Sequence, residues 1–569
     1  MMKRFNKFVK LLLVFVLSAV CILSGTACAP KGTDLSGLDP DIAIGAETVD
    51  NSPNTIEISI YNAGYGVEWL NRCAKEFMKL NSNYKIKARV LGNNSVTNQL
   101  KAGASNNSVD LFIIGGNLNS LISQGSKVVA GYDVALASLD DVYSSTVAGE
   151  SVTVESKMYD SVCQTLKCEV EIGENVEEHY YSMPWGTGYS GIMYNKALFE
   201  DAGLYTEPRT TDELIEYCEV LKDDGTVPFI CSAADDYFEY VSMVWWAQYE
   251  GQKGIDNFYA GKIHDTADPD ANTSIEIFKQ EGLREMFKVY EDLLHPDKGY
   301  LFEFSETYNY TRAQKFFLTG QKAYGAMIPN GTWLENEMAN TTTTATIDNI
   351  RPMRTPIMSA LSDKMSYWGE EKNFTEMTKD ASFSTKRAEY DAKLRALVDY
   401  VDGVAAKPAW ATDNDVKIMT EARAYMAGGA GATMSIPVYA TATTAAKEFL
   451  KFMATDTAIE IYLEATRGSI LPFDYDVTGW SKYDTLSEFA KQKFAIMDKS
   501  VSVKGEDSYP MYYISALRYD RGLKDYNFTI TFGSIENRSS IKTADQCIED
   551  AYNAYKNIMG KMLQDSGLL

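Results

Sequence analysis

The chain has 569 residues, with 78 acidic against 54 basic side chains and a formal net charge of −24. So acidic a surface repels phosphate backbones and anionic headgroups, which argues against nucleic acid as a partner. A body of about 515 residues is too long for one ordinary core, and two lobes are expected.

The first residues carry the bases Lys3, Arg4, Lys7 and Lys10, then the apolar run Leu11–Leu23, then Ser24-Gly25-Thr26-Ala27 before Cys28. A charged start, a short apolar stretch and small residues read as an export signal over 1–27, too short for a comfortable span. A Cys in that place resembles a bacterial lipobox, with Gly25 where Leu is usual; the expectation is acylation at Cys28 and anchoring to the outside of the cell membrane. After Leu23 no apolar run approaches transmembrane length. Residues 28–54, with Pro30, Gly32, Pro40, Gly45 and Pro53, lack apolar periodicity and read as a disordered tether.

Thr55–Tyr61 alternates with period two and predicts a strand, followed by the turn-rich Asn62-Ala-Gly-Tyr-Gly66. Val67, Leu70, Ala74, Phe77 and Met78 share one helical face. Ile86, Ala88 and Val90 mark a second strand, and Leu111-Phe-Ile-Ile114 before Gly115-Gly116 a buried parallel one. Strands alternating with helices predict a parallel sheet covered by helices, with ligands gathering at the carboxyl ends of the strands. A second α/β block follows. Tyr189–Tyr194 reads as a strand, and Thr210-Thr-Asp-Glu213 as a capping box opening a helix with Leu214, Tyr217, Cys218 and Leu221.

Chemistry-bearing motifs are few. The histidines His179, His264 and His295 lie far apart, which gives little support to a zinc site or a Ser-His-Asp constellation. The stretch His264–Asp270 lacks the glycine and terminal Glu of a calcium loop and reads as solvated. Export permits disulfides, with Cys163 and Cys168 the nearest pair in sequence, although Cys73, Cys218 and Cys231 fit buried free thiols equally well.

Several stretches taken together carry a resemblance. They are Ile56–Gly66 with Trp69 and Phe77; Leu100-Lys-Ala-Gly103 into Val109–Gly116; Met183–Gly203 followed by Thr210–Leu214; Phe316–Trp333; and Ile436-Pro-Val with Ala445–Phe452 and Gly468–Pro472. Their order resembles the extracellular solute-binding proteins of ABC importers, in the carbohydrate-binding branch that includes the maltose-binding protein. The chain departs from that pattern by extra material between Thr341 and Met434 and a tail after Pro472.

The resemblance implies a type II periplasmic-binding-protein-like fold, two α/β lobes joined by a hinge with the ligand between them. The expected division is 55–188 plus 350–440 for one lobe and 189–349 plus 441–569 for the other, with crossings near Tyr189, Ile350 and Ala440. It implies a monomer with no cofactor and no covalent chemistry, which captures a carbohydrate and hands it to the permease subunits of the importer. It would touch the membrane only through its lipid.

A sugar has apolar C–H faces and a hydroxyl rim, which suits Trp and Tyr platforms with amide side chains beside them. The candidates are Tyr61, Asn62 and Tyr65 after the first strand, Asn117 after Gly115-Gly116, and Trp185 and Tyr189 at the first crossing. Asn330 and Trp333 follow the run Ala326–Pro329, and of the adjacent Trp245 and Trp246, about 100° apart on a helix, at most one can face the ligand. Two rival readings are a cell-surface glycoside hydrolase, for which no carboxylate pair stands out, and the same fold holding a peptide, polyamine or metal chelate.

Overall fold

In the computed structural model, residues 37–44, 51–62, 64–90, 96–103, 108–116, 118–122, 125–163, 166–172, 175–232, 237–259, 275–339, 344–428, 432–504 and 541–556 are described. Cys28, Asn117 and the stretch His264–Asp270 lie outside these residues.

Twelve strands make up the described sheets: β1 (Thr55–Ile60), β2 (Lys85–Val90), β3 (Leu111–Ile114), β4 (Lys167–Ile172), β5 (Asn175–Tyr180), β6 (Met183–Gly186), β7 (Tyr189–Asn195), β8 (Met327–Gly331), β9 (Ile350–Pro352), β10 (Tyr425–Gly428), β11 (Ala432–Ser435) and β12 (Val501–Ser502). The first sheet has the order β2-β1-β3-β11-β6. Its β1 lies parallel to both neighbours, with Thr55 opposite Lys85 and Ile58 opposite Leu111, whereas β11 runs antiparallel to β3 and β6. Alternation in β1 suggests one solvated face, yet all six residues are buried. The polar face is satisfied internally: Arg89 donates to Glu57, and the Asp110 carboxylate accepts from the Glu57 and Ala442 amides at 3.0 and 2.9 Å. Helix Glu68–Leu80 covers this sheet, and its Phe77 meets Phe449 and Phe452 of helix Thr443–Met453 at ring distances of 5.3 and 5.8 Å.

The second sheet has the order β12-β10-β7-β8, with β9 also on β7. Its core is built on helices Phe238–Tyr259 and Glu281–Leu294, and helices Phe383–Val401 and Asp413–Ala424 close a smaller core around Leu394, Leu397 and Met419. Arginine forks rivet that outer part down. Arg387 holds Asp212 through two bonds of 2.7 Å, Arg209 reaches Asp399 at 2.6 Å, and Arg423 reaches Asp402 at 2.8 Å.

The division of the chain differs from the expected one. Residues 350–428 join the second sheet, because β9 and β10 pair with β7. Residues 432–486 return to the first, because β11 pairs with β3 and Phe449, Leu450 and Tyr462 pack in its core. Strands of three or four residues carry too little pattern to show their partners in sequence. Cys73, Cys163, Cys168, Cys218, Cys231 and Cys547 are free thiols, all buried except the half-buried Cys168.

Candidate functional site: an aromatic cleft at the hinge

The lobes meet where two antiparallel chains pass side by side from one sheet into the other. β6 runs through Gly186-Thr187-Gly188 into β7, while β10 leads to β11 beside it, with Gly428 opposite Tyr189 and Ala432 opposite Gly186. Gly428 has φ 148°, and a Cβ there would stand 1.9 Å from the Gly188 carbonyl oxygen. Only glycine lets the two hinge strands lie this close. The third crossing is helix Glu488–Met497, whose Phe489 and Ile496 join the second lobe while Ala490 joins the first. Its Lys493, 1% exposed, donates to the Gly468 carbonyl, and burial pulls its ammonium down to about 8.

The first lobe offers an aromatic wall at the carboxyl ends of β1 and β3. Tyr61 begins it, half-buried, its amide donating to Ile113 O at 2.8 Å, and Asn62 beside it is exposed. Trp185 stacks on Trp69 with centroids 5.2 Å apart and donates from Nε1 to Ile114 O at 2.7 Å. Tyr65, half-buried, stands edge-on to Trp185 at 5.8 Å, and Tyr462 leans on Trp69 at 5.4 Å. Among the described residues neither Trp69 Nε1 nor the Tyr462 hydroxyl has a hydrogen-bond partner, although both are buried. Such an unmatched group costs about 1–3 kcal/mol.

The second lobe supplies the facing wall from the end of β8. Trp333 stands edge-on to Tyr237 and Tyr240 at 6.0 and 6.1 Å, and Tyr237 lies along Tyr310 at 6.2 Å. A Cβ at Gly331 would sit 2.1 Å from the Trp333 ring, so the glycine in Asn330-Gly-Thr-Trp333 makes room for the indole. The walls touch across the hinge. Asn336 Nδ2 donates to Gly64 O at 2.7 Å, and a Cβ at Gly188 would meet the Thr332 and Tyr65 hydroxyls at 2.2 and 3.2 Å. Burial pushes the Tyr240 hydroxyl up to about 12, with Glu239 and Tyr65 adding to it. Glu337, one turn beyond Trp333, is pushed up by burial and opposed by the hydrogen bond from Gln314 Nε2, 2.8 Å long. Two rows of rings on separately anchored lobes can grip a flat, weakly polar guest; the polar ends between them can take its hydroxyls.

The expected residues fall into two groups. Tyr65 and Trp333 belong to the rows of rings where the lobes meet, and Tyr61 and Asn62 follow β1 at its carboxyl end. The other described candidates are buried with their polar atoms engaged inside the fold. Trp185, wholly buried, backs Tyr65. Tyr189, 1% exposed, turns under Gly191 and donates to Met353 O, with Thr355 Oγ1 at 3.2 Å. Asn330, also buried, accepts the Gly331 amide at 2.8 Å. Trp245 and Trp246 both sit inside the second-lobe core, donating to Pro356 O and Gln280 Oε1 at 3.1 and 3.0 Å. Tyr237, Tyr240 and Tyr310 are not among the expected residues. For Tyr237 and Tyr240 the signal is their i, i+3 spacing at a helix start, next to the acids Asp235 and Asp236, which lie outside the described residues; Tyr310 opens a separate helix, Tyr310–Phe317, and carries no such signal. Among the described residues no group of three or more His, Cys, Asp and Glu side chains is arranged to hold a metal, and no helix is long and apolar enough to cross a membrane.

Comparison with known proteins follows the same lines. A chitin oligosaccharide binding protein superposes with a TM-score of 0.54 at 15% identity, covering 90% of this chain and 100% of its own. RafE, a solute-binding protein solved with raffinose, gives 0.53 at 16%, covering 89% and 99%. The sugar-binding protein MalE from Xanthomonas citri gives 0.53 at 13%, covering 89% and 98%. At these identities the likeness establishes the fold. No curated protein sequence matches the chain. The family model described as bacterial extracellular solute-binding protein matches residues 63–348, half of the chain, a stretch that includes Tyr65, Trp185 and Trp333. The chain is therefore a member of the bacterial extracellular solute-binding protein family.

Proposed function

We propose that this protein is the lipid-anchored receptor of an ABC importer, which closes on a sugar or oligosaccharide and presents it to the membrane permease. The observation that carries the reading is the pair of aromatic walls, one per lobe, meeting at a glycine-lined hinge. Ligand that touches both walls stabilises the closed form alone, so its binding energy shifts the hinge equilibrium. The receptor needs no cofactor and acts on its ligand without breaking a bond. Tyr61, Asn62, Tyr65, Trp333, Tyr237, Tyr240 and Tyr310 form the contact set, with Asn117 added for its place after β3. Trp69 Nε1, Thr332 and the Tyr462 hydroxyl are the polar ends that take sugar hydroxyls. Solved relatives carry names of chitin oligosaccharide and raffinose binders, which supports the ligand class. The exported start of the sequence and Cys28 support the anchor.

The test is calorimetry of the protein lacking residues 1–28 against mono- and oligosaccharides. One-site binding without turnover is expected; accumulation of cleaved sugar would replace this reading with a hydrolase.

A further inference from the structure

A cavity of about 280 Å³ lies in the second lobe, between helices Thr211–Asp223 and Glu281–Leu294 and residues 358–387. None of its lining residues belongs to the two aromatic walls at the hinge, so the cavity is separate from the cleft. Ile215, Val289, Met358 and Phe374 give it an apolar lining. Its basic residues already have acid partners. Arg387 is clamped on Asp212 and lies 5.2 Å over the Phe374 ring, Lys288 is 3.1 Å from Glu291, and Lys379 is 3.6 Å from Asp545.

One acid on the wall does not. Glu285 is 3% exposed, and its Oε1 has no hydrogen-bond partner among the described residues. A buried carboxyl with an unmatched oxygen is a standing cost, relieved by any ligand that brings a donor or a positive charge. Since the cavity's own cations are engaged, an anion would find no free charge there. The volume sits at the lower edge of the roughly 300–1,000 Å³ of ligand sites, too small for a sugar chain.

We propose that this cavity is a second binding site, for a small organic amine whose ammonium pairs with Glu285 and whose carbon chain lies on Ile215, Val289, Met358 and Phe374. Burial pushes Glu285 up to about 8; of the charged groups facing it, Asp363 and Glu281 add to the rise and Lys288 and Arg284 oppose it. At neutral pH the empty carboxyl is therefore mostly protonated, and pairing with an ammonium releases its proton to solvent.

The experiment is calorimetry at pH 7 with cadaverine and butylamine, in two buffers of different ionisation enthalpy. At least one amine should bind at a single site with a heat that differs between buffers. Glu285→Gln should weaken binding at least tenfold and erase the buffer difference. Thr378→Leu, which narrows the cavity without touching the carboxyl, should also weaken it. Trp333→Ala should leave amine binding unchanged whatever it does to sugars, which separates this site from the cleft. No binding of either amine to the unaltered protein, or equal binding by Glu285→Gln, overturns the proposal.

Discussion

Two tryptophan pairs in this molecule are equally buried and differ in what their polar ends do. In the second-lobe core, Trp245 and Trp246 are wholly buried and each indole nitrogen has an acceptor, Pro356 O or Gln280 Oε1. At the hinge, Trp69 and Trp185 are equally buried, but Trp69 Nε1 and the hydroxyl of the adjoining Tyr462 have no partner among the described residues. A ring whose every polar atom is satisfied is committed to packing. A ring cluster that keeps unmatched polar atoms beside a hinge has bonding capacity left over, which is what the proposed sugar site uses.

The comparison can be broken most forcefully at Trp245. Trp245→Ala is expected to destabilise the fold by about 3–5 kcal/mol, read by urea unfolding, while the sugar affinity of the folded fraction stays as it was. Trp185→Ala should cost a similar ~3–5 kcal/mol and in addition weaken sugar binding, since Tyr65 loses its support. If Trp185→Ala binds as well as the original protein, the hinge cluster is ordinary core. Trp333→Ala should reverse the balance, with affinity falling roughly 10- to 100-fold, about 1.4–2.7 kcal/mol, and stability changing by less than about 1 kcal/mol. Trp69→Phe removes the partnerless donor together with part of a buried ring. Stability should fall by about 1–3 kcal/mol, and affinity should drop about fivefold, near 1 kcal/mol. Unchanged affinity there would mean that Nε1 never meets ligand.

The gentlest probe is pH. Burial holds Lys493 down at about 8 against an ordinary 10.5. Between those values the unfolded chain binds more protons than the folded one, so stability should rise with pH across that window. Lys493→Met should flatten the rise in thermal unfolding.

Much of the framework is legible in the sequence. Leu111–Ile114 is a strand at the expected residues, Tyr189–Tyr194 extends by one to Asn195, and helix Thr211–Asp223 starts where the capping motif put it. The cap itself differs from the expected box. Thr210 accepts the Glu213 amide as a cap should, but the Glu213 carboxylate turns to the Arg209 amide and guanidinium instead of closing the box. Long periodic segments announce themselves because their burial repeats. Which sheet β9, β10 and β11 join depends on contacts more than a hundred residues away, and a run of three or four residues cannot encode that. The site was half legible for a related reason. Aromatic residues are as useful inside a core as on a platform, and Trp246 differs from Trp333 only in where its ring ends up.

The interleaved ancestry of the first sheet has a consequence for how the polypeptide is made. β3 is complete by residue 114, but the strand that covers its free edge, β11, is synthesised more than 300 residues later. Until then the nascent chain has an open β edge and a half-built lobe, the kind of surface that sticks to itself. Emerging on the far side of a membrane, the polypeptide must stay uncommitted until about three quarters of its length has been translocated. A stop codon placed before residue 432 should therefore yield not a smaller receptor but an aggregate.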